Sequence, residues 1–220
     1  MNSVNQMIVS DIPLIWVEPA HTPARRLAIW LPGFSGTKEG VLPQLEELAA
    51  RGFVAISFDP HQHSERRIGS QEELRSRVAG NIRRYFWPIM TQTTEDIPTV
   101  IDWAITKLGV TGGVGIGGIS MGGDISVAAA GVDPRIATVA ACKATADWLR
   151  PGSFEPPGTP DKIAQACYDR CNPLTHLERY AIVRPFPSNV AARITRFHPT
   201  EDNASWLPFK PTTIAPKTST

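Results

Sequence analysis

Gly118-Ile119-Ser120-Met121-Gly122 decides how the rest of the chain is read. A glycine-laced apolar run, Gly112 to Gly117, precedes it. Asp124-Ile125-Ser126-Val127-Ala128-Ala129-Ala130 follows, with small side chains suited to packing a helix on a sheet. Strand, G-x-S-x-G, helix is the setting in which this pattern forms a nucleophile elbow. The turn is so tight that the serine backbone is strained and its Oγ projects beyond the sheet. Side chains at Gly118 or Gly122 would collide with the neighbouring strand and helix. The Met121 amide then faces the same space as the Ser120 hydroxyl and can hold a developing oxyanion.

Two phosphate-binding loops compete with this reading. No lysine follows the glycines, so the G-x-x-x-x-G-K-[ST] pattern is not met. Gly113 to Gly118 does fit G-x-G-x-x-G, which keeps a dinucleotide-binding enzyme as a weaker alternative. That motif opens a βαβ unit and wants an acid about 20 residues on, at the end of the next strand. Here it lies mid-chain, and the next strand ends in Cys142-Lys143-Ala144-Thr145 with no acid before Asp147.

The chain has 220 residues, enough for one α/β domain, and 42% of them are apolar. A net charge of +1 argues against a nucleic-acid surface. No apolar run approaches about 20 residues, so no membrane partner is expected. Met1-Asn2-Ser3-Val4-Asn5-Gln6 lacks the basic and apolar regions of a signal peptide. With three cysteines, Cys142, Cys167 and Cys171, this points to reduced thiols and a cytoplasmic location. Cys167 and Cys171 are read as packing residues. No cofactor is expected.

In chain order, Leu14–Val17, Leu27–Leu31 and Phe53–Phe58 read as strands, the second of them central. A helix carrying Val41, Leu42, Leu45, Leu48 and Ala49 separates the last two and stops at Gly52. Strand, helix, strand at this spacing implies a parallel crossover. Residues 61–86 mix Arg66, Arg67, Arg75, Arg77, Arg83 and Arg84 with Glu65, Glu72 and Glu73, and are expected to be a solvated excursion over the sheet edge. Glu95–Leu108 is expected to be a helix, and Ile136–Cys142 a buried strand after the elbow helix. The predicted class is therefore α/β, a mostly parallel sheet with helices on both faces. After Trp148 come a loop, a short helix over Asp161–Arg170 and a turn over Leu174–Leu177. No glycine follows Gly158, and the last forty residues hold six prolines. Residues 1–180 are thus expected to form the domain and 181–220 an atypical tail, partly disordered, with Ala181-Ile182-Val183 as its strand-like piece.

Taken together, these residues resemble the α/β-hydrolase superfamily, and within it the bacterial esterases related to dienelactone hydrolases and prolyl-oligopeptidase-type catalytic domains. Pro32-Gly33-Phe34-Ser35-Gly36-Thr37-Lys38 resembles the oxyanion loop H-G-[FT]-x-G-x-K. Phe58-Asp59-Pro60-His61-Gln62-His63-Ser64-Glu65-Arg66 is similar to the turn D-x-x-x-H-G-E-R. Phe86-Trp87 with Glu95-Asp96-Ile97-Pro98, the elbow with Gly123, and Asn172-Pro173-Leu174-Thr175-His176-Leu177 complete the set, which covers roughly residues 13–180. Pro32 stands where the family has histidine, and Ser64 where it has glycine. The resemblance implies Ser120 as nucleophile, an oxyanion hole from the amides of Phe34 and Met121, and a small-molecule ester as substrate, cleaved through an acyl-enzyme.

A base and an acid must follow Ser120 in the order serine, acid, histidine. Only His176 and His198 lie downstream, and His176 falls in a segment that resembles a structural one. His198 is therefore the candidate base, set against an ordinary exposed-tail histidine. A carboxylate before it must come from Asp147, Asp161, Asp169 or Glu178. Asp147, which follows the strand after the elbow, is the candidate acid, set against an ordinary loop or cap residue. His61 and His63 lack further ligands nearby for a zinc site, so no metal is expected. The open alternative is a truncated or impaired hydrolase-like domain without a complete triad. Its missing C-terminal strands would leave a sheet edge through which copies could associate.

Overall fold

A computed structural model describes residues 3–20, 25–150 and 157–180, together with the backbone of 184–185. Among the described residues, seven strands form one sheet in the order β1-β2-β4-β3-β5-β6-β7. They are β1 (Val4–Val9), β2 (Ile12–Val17), β3 (Arg26–Leu31), β4 (Phe53–Phe58), β5 (Val114–Ile119), β6 (Ile136–Cys142) and β7 (Arg184–Pro185). The pairs β1–β2 and β2–β4 are antiparallel, and the others are parallel. The helices are α1 (Leu42–Ala50), α2 (Gln71–Gly80), α3 (Ile82–Leu108), α4 (Met121–Ala130) and α5 (Lys162–Cys171).

Alternation along β3 explains why the sheet is covered on both faces. Leu27, Ile29 and Leu31 pack into the larger core with Ile97, Ile101, Ile125 and Ala128 from α3 and α4. Ala28 and Trp30 point the other way and meet Leu45 and Leu48 of α1. A strand buried on both faces is apolar at every position, as β3 is from Leu27 to Leu31. Its place in the middle of the sheet agrees with the central position expected for it.

Three elements differ from the sequence reading. That reading has no β1, because Val4-Asn5-Gln6-Met7 carries no buried face. The strand exists by pairing: Ser10 and Asp11, at φ 47° and 67°, form a two-residue turn that folds it back on β2. Residues 61–86 are not a solvated excursion over the sheet edge. They hold α2 and the start of α3, and Leu74, Val78, Ile82 and Phe86 are buried in the larger core. Ser70 and Glu73 start α2 with a capping box, each side chain accepting from the other's amide. Finally, the helix expected from Glu95 begins at Ile82 and runs 27 residues through Pro88 and Pro98.

A strand runs from Ile136 to Cys142 as expected, but it is buried only at Ile136, Ala140 and Cys142, with Ala137 and Ala141 exposed, and α5 starts one residue after its cap Asp161. Cys142, Cys167 and Cys171 are buried free thiols. Ala181-Ile182-Val183 and the tail from 186 lie outside the described residues, as does His198. Among the described residues, no helix is long and apolar enough to cross a membrane.

Candidate active site

Ser120 stands between the end of β5 and the first turn of α4, with φ 54° and ψ −121°. A non-glycine residue at positive φ costs on the order of 1–3 kcal/mol, so the surroundings must hold it there. Its amide donates to the Cys142 carbonyl at 2.8 Å, and its carbonyl accepts from the Asp124 amide at 2.9 Å. The side chain is left exposed.

The flanking glycines are there for lack of room. A Cβ on Gly118 would lie 2.6 Å from the Leu31 carbonyl oxygen, and one on Gly122 only 2.4 Å from it. Both clashes are with backbone, so neither can be relieved by a side-chain rotation. This close approach sets the N-terminus of α4 against the end of β3, where the loop 32–38 begins. It also disposes of the phosphate-loop alternative. Gly113 to Gly118 lies almost wholly within β5, and Gly115 to Gly118 pair with both β3 and β6. A strand paired on both sides has no free row of amides to cradle a phosphate.

The loop 32–38 is fastened at Lys38 and at Ser35. Lys38 is buried, and its amide and Nζ donate to the two Asp59 oxygens at 3.0 and 2.9 Å. Burial works against the ammonium. The carboxylates of Glu39, Glu65 and Asp59 outweigh it, so the Lys38 pKa rises. Asp59 also accepts the Glu65 amide, which ties the turn after β4 to the same point. Ser35, at φ 68°, accepts from Arg75 Nε at 3.0 Å and Gln71 Nε2 at 3.2 Å of α2. Beside Ser35, the Phe34 ring stands edge-on to His63 at 5.3 Å and to Phe86 at 5.5 Å.

A cleft of about 220 Å³ opens here, lined by Phe34, Val78, Ala79, Ile82, Phe86, Ser120 and Arg150. Ser120 and Phe34 are thus brought together. Met121, by contrast, is fully buried and is not among the residues lining the cleft.

Asp147 is used locally. Its carboxylate accepts the Leu149 amide at 2.9 Å, and its carbonyl accepts the Arg150 amide at 3.1 Å. That closes the turn after β6, the loop role set against the catalytic one, and Asp147 is not among the residues lining the cleft. The three described imidazoles also lie elsewhere. His63 is buried, with Nδ1 at 2.9 Å from the His61 carbonyl, and burial pulls its pKa down. Burial, then the charges of Arg66 and His63, takes His61 down to about 4. His176 Nε2 is 2.7 Å from the Asp169 carbonyl. His61 and His63 belong to no group of three or more metal-ligating residues among the described ones.

Sequence reasoning missed Asp124 and Arg150. Asp124 is buried in the first turn of α4, accepts the Thr145 amide at 2.7 Å and pairs with Arg150 Nη2. Burial pushes its pKa up to about 6, against the opposing pull of Arg150 and the Thr145 amide. An acid following G-x-S-x-G-G is a signal only when something cationic can reach it, and Arg150 lies 26 residues on.

Residues 37–166 match the Peptidase S15 family, described as X-Pro dipeptidyl-peptidase, which is more than half of the 220 residues. No curated protein matches the chain. Among solved structures, TT1662 from Thermus thermophilus is 21% identical with a TM-score of 0.64, covering 84% of this chain and 73% of its own. A protein assigned as a dienelactone hydrolase, from Klebsiella pneumoniae subsp. pneumoniae MGH 78578, is 13% identical with a TM-score of 0.59, covering 89% and 96%. An acylaminoacyl peptidase is 15% identical with a TM-score of 0.54, covering 81% and 30%. These likenesses bear on the fold, and the family match bears on descent. The chain belongs to the peptidase S15 (X-Pro dipeptidyl-peptidase) family, within the α/β-hydrolase superfamily.

Proposed function

We propose that this protein is a serine hydrolase that cleaves esters through an acyl-enzyme on Ser120. The observation that carries the reading is Ser120 itself: a non-glycine residue at φ 54°, exposed, at the mouth of a mostly apolar cleft. Strain of this kind persists where surroundings over-determine it, and here two glycines and both backbone hydrogen bonds do so. Ser120 Oγ attacks the ester carbonyl carbon while its proton passes to a base. The negative charge gathers on the carbonyl oxygen, facing the amides of Met121 and Phe34. The intermediate then expels the alcohol, which takes the proton back, and leaves the acyl group on Oγ. Water, deprotonated by the same base, releases the acid and restores Ser120. Each amide donor at such an oxyanion contributes about 3–4 kcal/mol of transition-state stabilisation.

His198 is the proposed base. It is the last histidine in the chain and follows Ser120 as the fold's order requires. The only other downstream histidine, His176, is taken up by the Asp169 carbonyl. Hydrolysis of 4-nitrophenyl acetate by the parent, Ser120→Ala and His198→Ala tests the scheme. Both variants are expected to lose at least about a hundredfold in kcat, with unchanged unfolding midpoints. Full activity in Ser120→Ala would end this reading. Activity surviving in His198→Ala alone would move the base elsewhere. Asp147→Asn is expected to keep at least about a tenth of the activity, since its carboxylate closes a turn.

A further inference from the structure

The proposed ester hydrolysis leaves the substrate class open, and the cleft bears on it. Of the described lining residues, Phe34, Val78, Ala79, Ile82 and Phe86 are apolar. Ser120 also lines it. Among the described residues Arg150 is the single charged side chain on the wall.

Arg150 is built in from behind. Trp148, two residues earlier, is buried. Its amide donates to Asn172 Oδ1 at 3.1 Å, and its carbonyl accepts from Trp87 Nε1 at 2.9 Å. The chain then turns through Asp147 and Leu149, and Arg150 adopts φ 49°, unusual for a residue with a Cβ. Its guanidinium packs 5.1 Å from the centre of the Phe86 ring. Nη2 pairs with Asp124, whose side chain is 1% exposed, while the Arg150 side chain is 26% exposed.

This asymmetry matters. The carboxylate is sealed beneath the elbow, and the accessible part of the pair is the cation. A guanidinium has five N–H donors in a planar fork. Asp124 occupies Nη2 and Nε is buried, so a ligand in the cleft meets the remaining exposed edge of that fork and the N-terminal end of α4, whose dipole also favours negative charge. No described acid lines the cleft to oppose them.

We propose that Arg150 makes this a site for esters that carry a carboxylate a few bonds from the ester group. The chain between the two groups lies along Phe34, Val78, Ile82 and Phe86, and the carboxylate meets the Arg150 guanidinium. The cleft, at about 220 Å³, has room for a short ligand chain. Arg150 is a specificity-determining residue on this account, held in place by Asp124, Trp148 and Phe86.

The inference rests on the ester-hydrolase reading for its choice of ester, so the test separates binding from turnover. In full-length Ser120→Ala, calorimetry measures the affinities of monomethyl adipate, methyl hexanoate and methyl 6-aminohexanoate. These have the same chain length and end in an anion, a methyl group and a cation. The anion is expected to bind at least about tenfold more tightly than the neutral ester, the gain typical of a charged hydrogen bond. The cation is expected to bind most weakly. In Ser120→Ala/Asp124→Asn/Arg150→Met, where no buried charge is left unpaired, the anion's advantage is expected to vanish. Equal affinities in Ser120→Ala, or an advantage that survives loss of Arg150, would overturn the proposal. Turnover of the same esters by protein with Ser120 intact reads the hydrolase scheme independently. Anion preference without turnover keeps this site and removes that scheme, and turnover without preference does the reverse.

Discussion

Asp124 joins the acid chemistry of the molecule to its architecture at a single residue. Its folded pKa stands near 6, well above the ordinary carboxylate value of 3.8, because burial disfavours the charge. The unfolded chain therefore gives up this proton at a lower pH than the folded one. The folded state is favoured below about 4 and loses that advantage as pH rises through about 6. The shift amounts to on the order of 3 kcal/mol. An asparagine at this position stays neutral throughout. Asp124→Asn is thus expected to gain stability relative to the parent between about pH 4 and 6, and the gap should level off above that. Urea midpoints of both proteins at several pH values measure it, and a gap independent of pH would contradict the burial argument. Gly122 offers a harder constraint at this scale. A Cβ there would sit 2.4 Å from backbone oxygen, so Gly122→Ala is expected to cost about 1–3 kcal/mol by forcing α4 away from β3. Turnover should fall with it, because the Met121 amide moves too. Both elbow glycines are legible in the sequence, since the elbow is a local pattern. Asp124 is not, because its partner arrives only once β6 has been laid beside β5.

Elements show why polarity misleads. α2 carries Glu72, Glu73, Arg75 and Arg77 and buries only Leu74 and Val78. From sequence that pattern reads as a solvated stretch. Yet Val78 walls the cleft, and Gln71 and Arg75 hold Ser35. Ser70→Ala removes the side-chain half of the capping box and is expected to cost about 1 kcal/mol, read as a lower urea midpoint. The loop 32–38 depends on a stronger fastening. Lys38→Met would leave the Asp59 carboxylate buried beside two amides and no cation, an arrangement that costs about 3–5 kcal/mol. Lys38→Met/Asp59→Asn removes the uncompensated charge and is expected to recover much of that loss. Denaturation curves of the two variants decide this, and equal midpoints would mean that the charge pair is not what holds the loop. The missed strand β1 has a similar cause: pairing with β2 makes it, not a hydrophobic face of its own.

At the scale of the whole molecule, repeated strand–helix–strand spacing is enough to give the parallel sheet and the central place of β3. The two-sided burial of β3, with α1 on one face and α3 and α4 on the other, follows from its unbroken apolar run. The reach of α2 and α3 over the sheet is not legible. It depends on Trp87, Tyr168 and Trp148 meeting across long sequence separations, with the rings of Trp87 and Tyr168 4.3 Å apart. The site inherits this division. The Ser120 turn and the loop 32–38 come from local motifs, while the cleft wall and Arg150 come from the assembled fold.

The account turns on whether Ser120 is an activated nucleophile. A fluorophosphonate reacts with such a serine and spares an ordinary hydroxyl, so peptide mass spectrometry after brief treatment of the native protein is the most direct test. The account predicts one label per chain, on the peptide containing Ser120, and no label in Ser120→Ala. An unlabelled Ser120 in the folded protein, or equal labelling of the Ser120→Ala variant, would contradict it.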